Sequence, residues 1–230
     1  MVRRGVGEVV ECPWPAASTD LLSAAAPWRV FRWYRGQRHY SGTYWSATMR
    51  NHVIYESRLE LTRLLFADFD RSVHGIVAQP FMLQTMLEGK VRKHIPDYLL
   101  FTDQGPVIVD VKPLRRLSKP EVAFTFHWTR QAVESRGWQY EIWSEPPAAK
   151  LENIRFLAGY RRDWLFSTTV LEELRGVDLD GVPLGQATAF LPDHPEPQVR
   201  AVIHHLLWTQ RLVTELDTPL SPLHTLRKTA

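Results

Sequence analysis

Two carboxylates and one ammonium fall close together in the stretch His94-Ile-Pro-Asp97-Tyr-Leu-Leu-Phe-Thr-Asp-Gln-Gly-Pro-Val-Ile-Val-Asp110-Val-Lys112-Pro, at a spacing that suits phosphodiester chemistry. An apolar run from Tyr98 to Phe101 follows Asp97. The segment from Thr102 to Pro106 breaks it, and a second run from Val107 to Val111 carries Asp110 and leads to Lys112. Turn formers between two short apolar runs predict a hairpin. Alternation along the second strand puts Ile108, Asp110 and Lys112 on one face and Val107, Val109 and Val111 on the other. Asp110 and Lys112 therefore share a side, and the hairpin can bring Asp97 beside them. Carboxylates on an apolar hairpin are costly to desolvate unless a divalent cation and its waters compensate them. Mg²⁺ held there polarises a phosphodiester and acidifies its water, while Lys112 positions the nucleophile or balances developing charge. The plainer reading is an exposed hairpin with solvated charges and one surface ion pair, which contributes little. Pro-Asp followed by Asp-x-Lys is too short a pattern to separate the two.

The flanking elements must position these groups. Tyr55 to Phe69 reads as a helix with Leu59, Leu61, Leu64, Leu65 and Phe66 on an apolar side. Glu56 and Glu60 lie four residues apart on one face, so either is a candidate third carboxylate. Ser57-Arg-Leu-Glu60 also matches a capping box, in which Glu60 satisfies a backbone N–H at the helix start. Val73 to Leu87 predicts a strand, a turn at Pro80 and a second extended run, and Gly89 turns the chain toward Asp97. Ser118 to Arg136 predicts a helix opened by a capping box, Ser118-Lys-Pro-Glu121, and stopped at Gly137. Trp138 to Trp143 alternates like a strand. The order helix, strands, helix, strand is that of an α/β fold, a mixed sheet covered by helices.

Upstream, aromatics and arginines interleave from Trp28 to Val53. Arg32, Arg35, Arg38 and Arg50 are candidate phosphate contacts, as are Arg92 and Lys93 nearer the hairpin. The same segment reads equally well as short strands whose rings pack inward and whose arginines are solvated. Residues 1–27 show no sustained period and are expected to form a loosely ordered lead-in without a site. After Pro146-Pro147 the texture changes, which predicts a domain boundary and hence a 28–147 domain and a 148–230 domain. The second is expected to be mainly helical and winged-helix-like, with helices over 151–160, 167–174 and 197–211 and short extended pieces at 212–216 and 223–226. His204-His205 is read as a pair of satisfied histidines, not as spaced ligands.

Composition bounds the class. The chain has 230 residues, 44% of them hydrophobic, which suffices for a real core. Twenty-eight Lys+Arg against 25 Asp+Glu give +3, compatible with nucleic acid without requiring it. The distribution is more telling, because six arginines face the single acid Glu56 between Trp28 and Arg58. A single cysteine, Cys12, excludes an internal disulfide framework and a thiolate zinc cluster. No apolar run approaches the ~18 residues of a membrane span, so a cytoplasmic protein without a membrane partner is expected.

Taken in order, Ser57-Arg-Leu-Glu60-Leu, Val73 to Gln79-Pro80-Phe, His94-x-Pro-Asp97-Tyr-Leu and Val109-Asp110-Val-Lys112-Pro form a pattern. It resembles the TnsA-like endonuclease subunit of heteromeric transposases, a branch of the PD-(D/E)xK nuclease superfamily. The likeness runs from about His52 to Trp143 and extends more weakly to the C-terminal module. It implies a restriction-endonuclease-like sheet and a Mg²⁺ site, with Mn²⁺ able to substitute. It places Glu60, Asp97 and Asp110 as ligands with the Val111 carbonyl, and Lys112 beside the attacking water. Asp110 stands where some members carry glutamine. The family implies cleavage at the 5′ ends of a transposon, with a TnsB-like DDE transposase and a TnsC-like ATPase as partners, and association with the nucleoid. A stand-alone restriction or repair nuclease, or a non-catalytic DNA-binding assembly module on the same scaffold, are the rival readings.

Overall fold

The structure, a computed structural model, describes residues 1–5, 8–29 and 40–229. Two compact units divide it, Met1–Glu145 and Pro146–Ala230. The first opens with a two-residue ladder, β1 (Val2–Arg3) against β2 (Val9–Val10), and a short helix, α1 (Thr19–Ser23). These opening residues are not the loose lead-in expected from their lack of period. Val2, Ala17 and Leu22 are buried in the main core, and the Trp14 indole donates to the Ala132 carbonyl at 2.6 Å. The Arg136 guanidinium lies over Trp14 and Trp138 at 4.5 and 4.1 Å and donates to the carbonyls of Trp14 and Ala17. Scattered apolar residues can anchor to a preformed surface without any period of their own, because the partner supplies the geometry.

Next come an antiparallel pair, β3 (Gly42–Ser46) and β4 (Asn51–Tyr55), and the helix α2 (Arg58–Phe69). The helix starts three residues later than its apolar content suggested, because Asn51 to Tyr55 are paired with β3 and Ser57 takes the N-cap. β5 (Val73–Ala78) is followed by a hairpin of β6 (Leu83–Leu87) and β7 (Lys90–His94), then by β8 (Tyr98–Thr102) and β9 (Gly105–Val111). The hairpin carrying the acids forms with register Tyr98↔Val109 and Thr102↔Gly105. Its turn is Asp103-Gln104, and Gly105 takes φ +102°, a conformation that side chains resist. A short helix, α3 (Leu114–Leu117), precedes α4 (Pro120–Glu134), and β10 (Gln139–Trp143) follows a left-handed Gly137. The capping box expected at Ser118 does not form: Ser118 ends α3, and Lys119 is the N-cap of α4 without a side-chain bond.

The result is a mixed α/β unit whose four-stranded sheet runs β10-β9-β8-β5, with β10 parallel to β9 and the other pairs antiparallel. Helices flank both faces. Val77, Leu99, Ile108 and Tyr140 meet Phe126, Trp128 and Val133 of α4 in one buried cluster. On the opposite face Arg63 of α2 pairs with Glu141 at 2.7 Å, and Phe66 packs edge-on against Trp143.

The second unit contains α5 (Ala148–Leu157), α6 (Thr168–Gly176), α7 (Glu196–Trp208) and a two-residue ladder of β11 (Leu212–Val213) with β12 (Arg227–Lys228). Val199, Val202, Ile203 and Leu207 of α7 are its most deeply buried stripe. His204 and His205 are buried as well, and His205 bonds the Tyr160 carbonyl at 2.8 Å through Nδ1. Among the described residues no helix is long and apolar enough to cross a membrane.

Candidate metal centre

β9 carries Asp110 to the end of the sheet. Ile108, Asp110 and Lys112 all face α4: Ile108 joins its apolar cluster, Asp110 meets Tyr140, and the Lys112 ammonium lies 5.9 Å from the centre of the Phe126 ring. The Lys112 N–H bonds the Trp143 carbonyl at 2.9 Å, which extends the parallel pairing one residue past β9. Asp97 sits just before β8. Its N–H reaches the Val109 carbonyl at 3.1 Å, and its Oδ2 accepts the Val111 N–H at 2.7 Å. The backbone of one strand therefore fixes the acid of the other. Among the described residues Asp97 Oδ1 accepts no hydrogen bond.

Glu60 enters from the first turn of α2. The Ser57 hydroxyl accepts the Glu60 N–H at 3.2 Å and donates to Glu60 Oε1 at 2.8 Å, while Oε2 accepts the Glu56 N–H at 2.7 Å. Both the cap and the pocket position are thus real. Each carboxylate oxygen has two lone pairs, so the cap leaves one free on each.

Glu60, Asp97, Asp110, Val111, Lys112 and Lys93 line one pocket of about 440 Å³. Glu56 lines it too, and the carboxylates crowd one another: Asp110 and Glu60 act on Asp97, and Glu56 on Glu60. Burial raises the Asp97 pKa well above the ordinary carboxylate value, the charges of Asp110 and Glu60 raise it further, and the Val111 N–H and Lys112 oppose them. Burial also raises Glu60, against the pull of its two cap bonds and Lys112. Three hydrogen bonds to Asp97 and Glu60 and the Lys112 ammonium do not fully offset this crowding of negative charge, and a divalent cation would. The donor set, hard carboxylate oxygens, is the kind that Mg²⁺ takes. Nevertheless, among the described residues no three His, Cys, Asp or Glu side chains are gathered tightly enough to hold an ion as they stand. The cap holds Glu60, and a second set of bonds holds Asp110.

No protein-family model matches this sequence, and no curated protein does.

Several residues of the site had no assigned role in the sequence. His94 Nε2 stands 2.9 Å from each oxygen of Asp110, and the Tyr140 hydroxyl bonds Asp110 Oδ2. Gln79 adopts φ +49°, its N–H bonds the Asp97 carbonyl at 2.8 Å, and its amide donates to Glu56 at 2.9 Å. Glu56 also pairs with Arg29 at 2.8 Å, so its charge is compensated at the pocket rim. The signal for Tyr140 lay in alternation along Trp138 to Trp143, readable only once the partner strand and register are known. Of the candidate phosphate contacts, Lys93 lines the pocket. Arg92 lies over the Phe124 ring at 5.0 Å in an adjoining hollow that Lys93 shares. Arg50 is exposed at the β3–β4 turn and lines neither. Arg32, Arg35 and Arg38 lie outside the described residues.

Proposed function

We propose that the chain is a Mg²⁺-dependent DNA endonuclease subunit of a heteromeric transposase, resembling TnsA-like proteins, that cuts the 5′ ends of a transposon. The observation that carries the reading is Asp97: a half-buried carboxyl beside two other acids, with one oxygen accepting from no protein donor among the described residues. The ordered motifs around Glu60, Asp97, Asp110 and Lys112 support it, and so does the mixed sheet that joins them.

In this reading Glu60, Asp97 and Asp110, with the Val111 carbonyl, hold Mg²⁺ or Mn²⁺. The ion, when bound, acidifies water and polarises the phosphodiester. Lys112 holds the attacking water and balances charge developing on the phosphate. Lys93 and Arg92, with Arg50 and the Arg32 to Arg38 segment, hold the DNA backbone without reading bases. The sheet is restriction-endonuclease-like, and the 148–230 module is a winged-helix-like contact surface for a DDE transposase and an ATPase regulator. The protein works at the nucleoid.

The test is strand cleavage of transposon-end DNA with Mg²⁺ and a partner DDE transposase. Asp97→Ala and Lys112→Ala should each abolish 5′-end cutting while 3′-end cutting persists. Full 5′ cleavage by either variant sinks the assignment, and cleavage of generic DNA by the isolated chain indicates a stand-alone nuclease instead. The hydrogen bonds that already engage Glu60 and Asp110 favour one further reading, a non-catalytic DNA-binding assembly module. Calorimetric absence of Mg²⁺ binding would select it.

A further inference from the structure

Asp110 is the most enclosed acid of the pocket, 2% exposed, and its surroundings differ from those of Asp97. No backbone N–H among the described residues reaches its carboxylate; two side chains do. A carboxylate oxygen only accepts here, so His94 Nε2 and the Tyr140 hydroxyl are the donors. Packing fixes both. The His94 ring stands edge-on to Phe126 and Trp128 at 6.4 and 6.1 Å between centres, and Tyr140 is held in register on β10 opposite Ile108, two pairs before Asp110 and on the same face of the sheet.

The placing of His94 decides what Asp110 can offer. A donor equidistant from both oxygens occupies the seat in which a cation would chelate them. Oδ2 also takes the tyrosine hydroxyl, which fills its second lone pair, whereas Oδ1 keeps one. We propose that His94 and Tyr140 are positioning residues that present Asp110 to a divalent cation through Oδ1 alone. This rests on the metal reading above and adds a selectivity to it. One-oxygen ligation suits a small octahedral ion such as Mg²⁺ or Mn²⁺, whereas Ca²⁺ readily takes a carboxylate through both oxygens.

Calorimetric titration of the full chain with Mn²⁺ and with Ca²⁺, without DNA, tests the proposal apart from activity. Wild type should bind Mn²⁺ in preference to Ca²⁺. His94→Ala should weaken Mn²⁺ by about 10- to 100-fold, the usual effect of removing a group that orients a ligand. It should also narrow the Mn²⁺ to Ca²⁺ ratio, because the chelating seat opens; a purely structural histidine would leave that ratio unchanged. His94→Gln, whose amide can reach the same place, should recover most of the affinity. Tyr140→Phe should lower Mn²⁺ affinity less than His94→Ala, and it decides the matter if His94→Ala does not fold. Wild-type binding with affinities and ratio within twofold in both His94→Ala and Tyr140→Phe overturns the positioning role and leaves the metal reading standing. A wild-type chain that binds neither ion overturns the metal reading itself, and this proposal with it.

Discussion

Asp68 is buried and Asp97 half-buried in the same unit, and the two acids are treated in opposite ways. Asp68, 7% exposed in the last turn of α2, accepts four bonds: from the Tyr44 hydroxyl at 2.7 Å, the Ser46 hydroxyl at 2.6 Å and the N–H groups of Ala47 and Thr48 at 2.9 and 2.8 Å. Every donor lies in β3 or the turn after it, so this carboxylate ties the β3–β4 hairpin to α2. Its place near a helix C-terminus is unfavourable to negative charge, and the four donors offset that. Asp97 has one backbone donor and two negative neighbours, Asp110 and Glu60. The first arrangement saturates a charge and so holds structure. The second leaves charge in excess, which is useful only if something positive arrives.

The largest effect expected from this contrast is a crossed one. If the proposed nuclease activity holds, Asp97→Asn should lower 5′-end cleavage by about 10³-fold, several kcal/mol of lost charge stabilisation. The same change should leave the melting temperature of the metal-free protein unchanged or raised, because it removes one of three crowded charges. Asp68→Ala should leave the cleavage chemistry intact but cost about 3 kcal/mol by stripping four buried donors of their shared acceptor. For a chain of this size that is about 6 to 12 °C in Tm. Thermal melts and cleavage assays on the two variants check the pair; a destabilised Asp97→Asn or a neutral Asp68→Ala breaks the comparison.

His204 sharpens it from outside the site. It too is buried, 7% exposed, with Nδ1 lacking a partner among the described residues, yet nothing anionic crowds it. Burial, aided by Arg200, lowers its pKa from 6.5 to about 4. Burial lowers His205 also. A histidine whose folded pKa is depressed stays neutral in the fold, so its contribution is complete above pH 6.5 and is lost as pH falls toward 4. At about 1.4 kcal/mol per pH unit the swing for His204 is on the order of 3 kcal/mol. Melting between pH 7 and 4 should show this loss, and His204→Phe should flatten it. An unchanged slope in that variant removes His204 as its source.

Smaller still is the division of labour at Glu60. Ser57→Ala should cost about 1 kcal/mol through the lost cap. Glu60→Gln keeps an oxygen for the Glu56 N–H and an amide facing Ser57, so its stability should stay within about 0.5 kcal/mol of wild type. Its cleavage should nonetheless fall sharply. If Glu60→Gln cuts DNA normally, Glu60 is a cap and nothing more.

The parts of this design legible in the sequence are those set by neighbours along the chain. The β8–β9 hairpin follows from two apolar runs around Thr102 to Pro106, the stop of α4 from Gly137, and the cap at Ser57 from a serine placed three residues before a glutamate. Each depends on a few consecutive residues whose turn chemistry or hydrogen bonds close locally. Local signals also competed, and the outcome was then not legible. Tyr55 and the residues before it could extend a helix but pair with β3, and Ser118 could cap α4 but ends α3 instead.

What only the tertiary structure decided is which distant groups share an acid. Asp110 and Lys112 were placed on one face by alternation alone, but the face carries no label of its contents. Tyr140 reaches Asp110 across 30 residues because β10 pairs in parallel with β9, in a register where a shift by one residue would turn the phenol to the other side. His94 arrives from the end of a separate hairpin, and Trp14 reaches Ala132 from a segment with no pattern of its own. Periodicity states that a side chain faces inward. Whether its partner there is a saturating cage, as at Asp68, or another negative charge, as at Asp97, depends on the packing of strands and helices that no short window of residues contains.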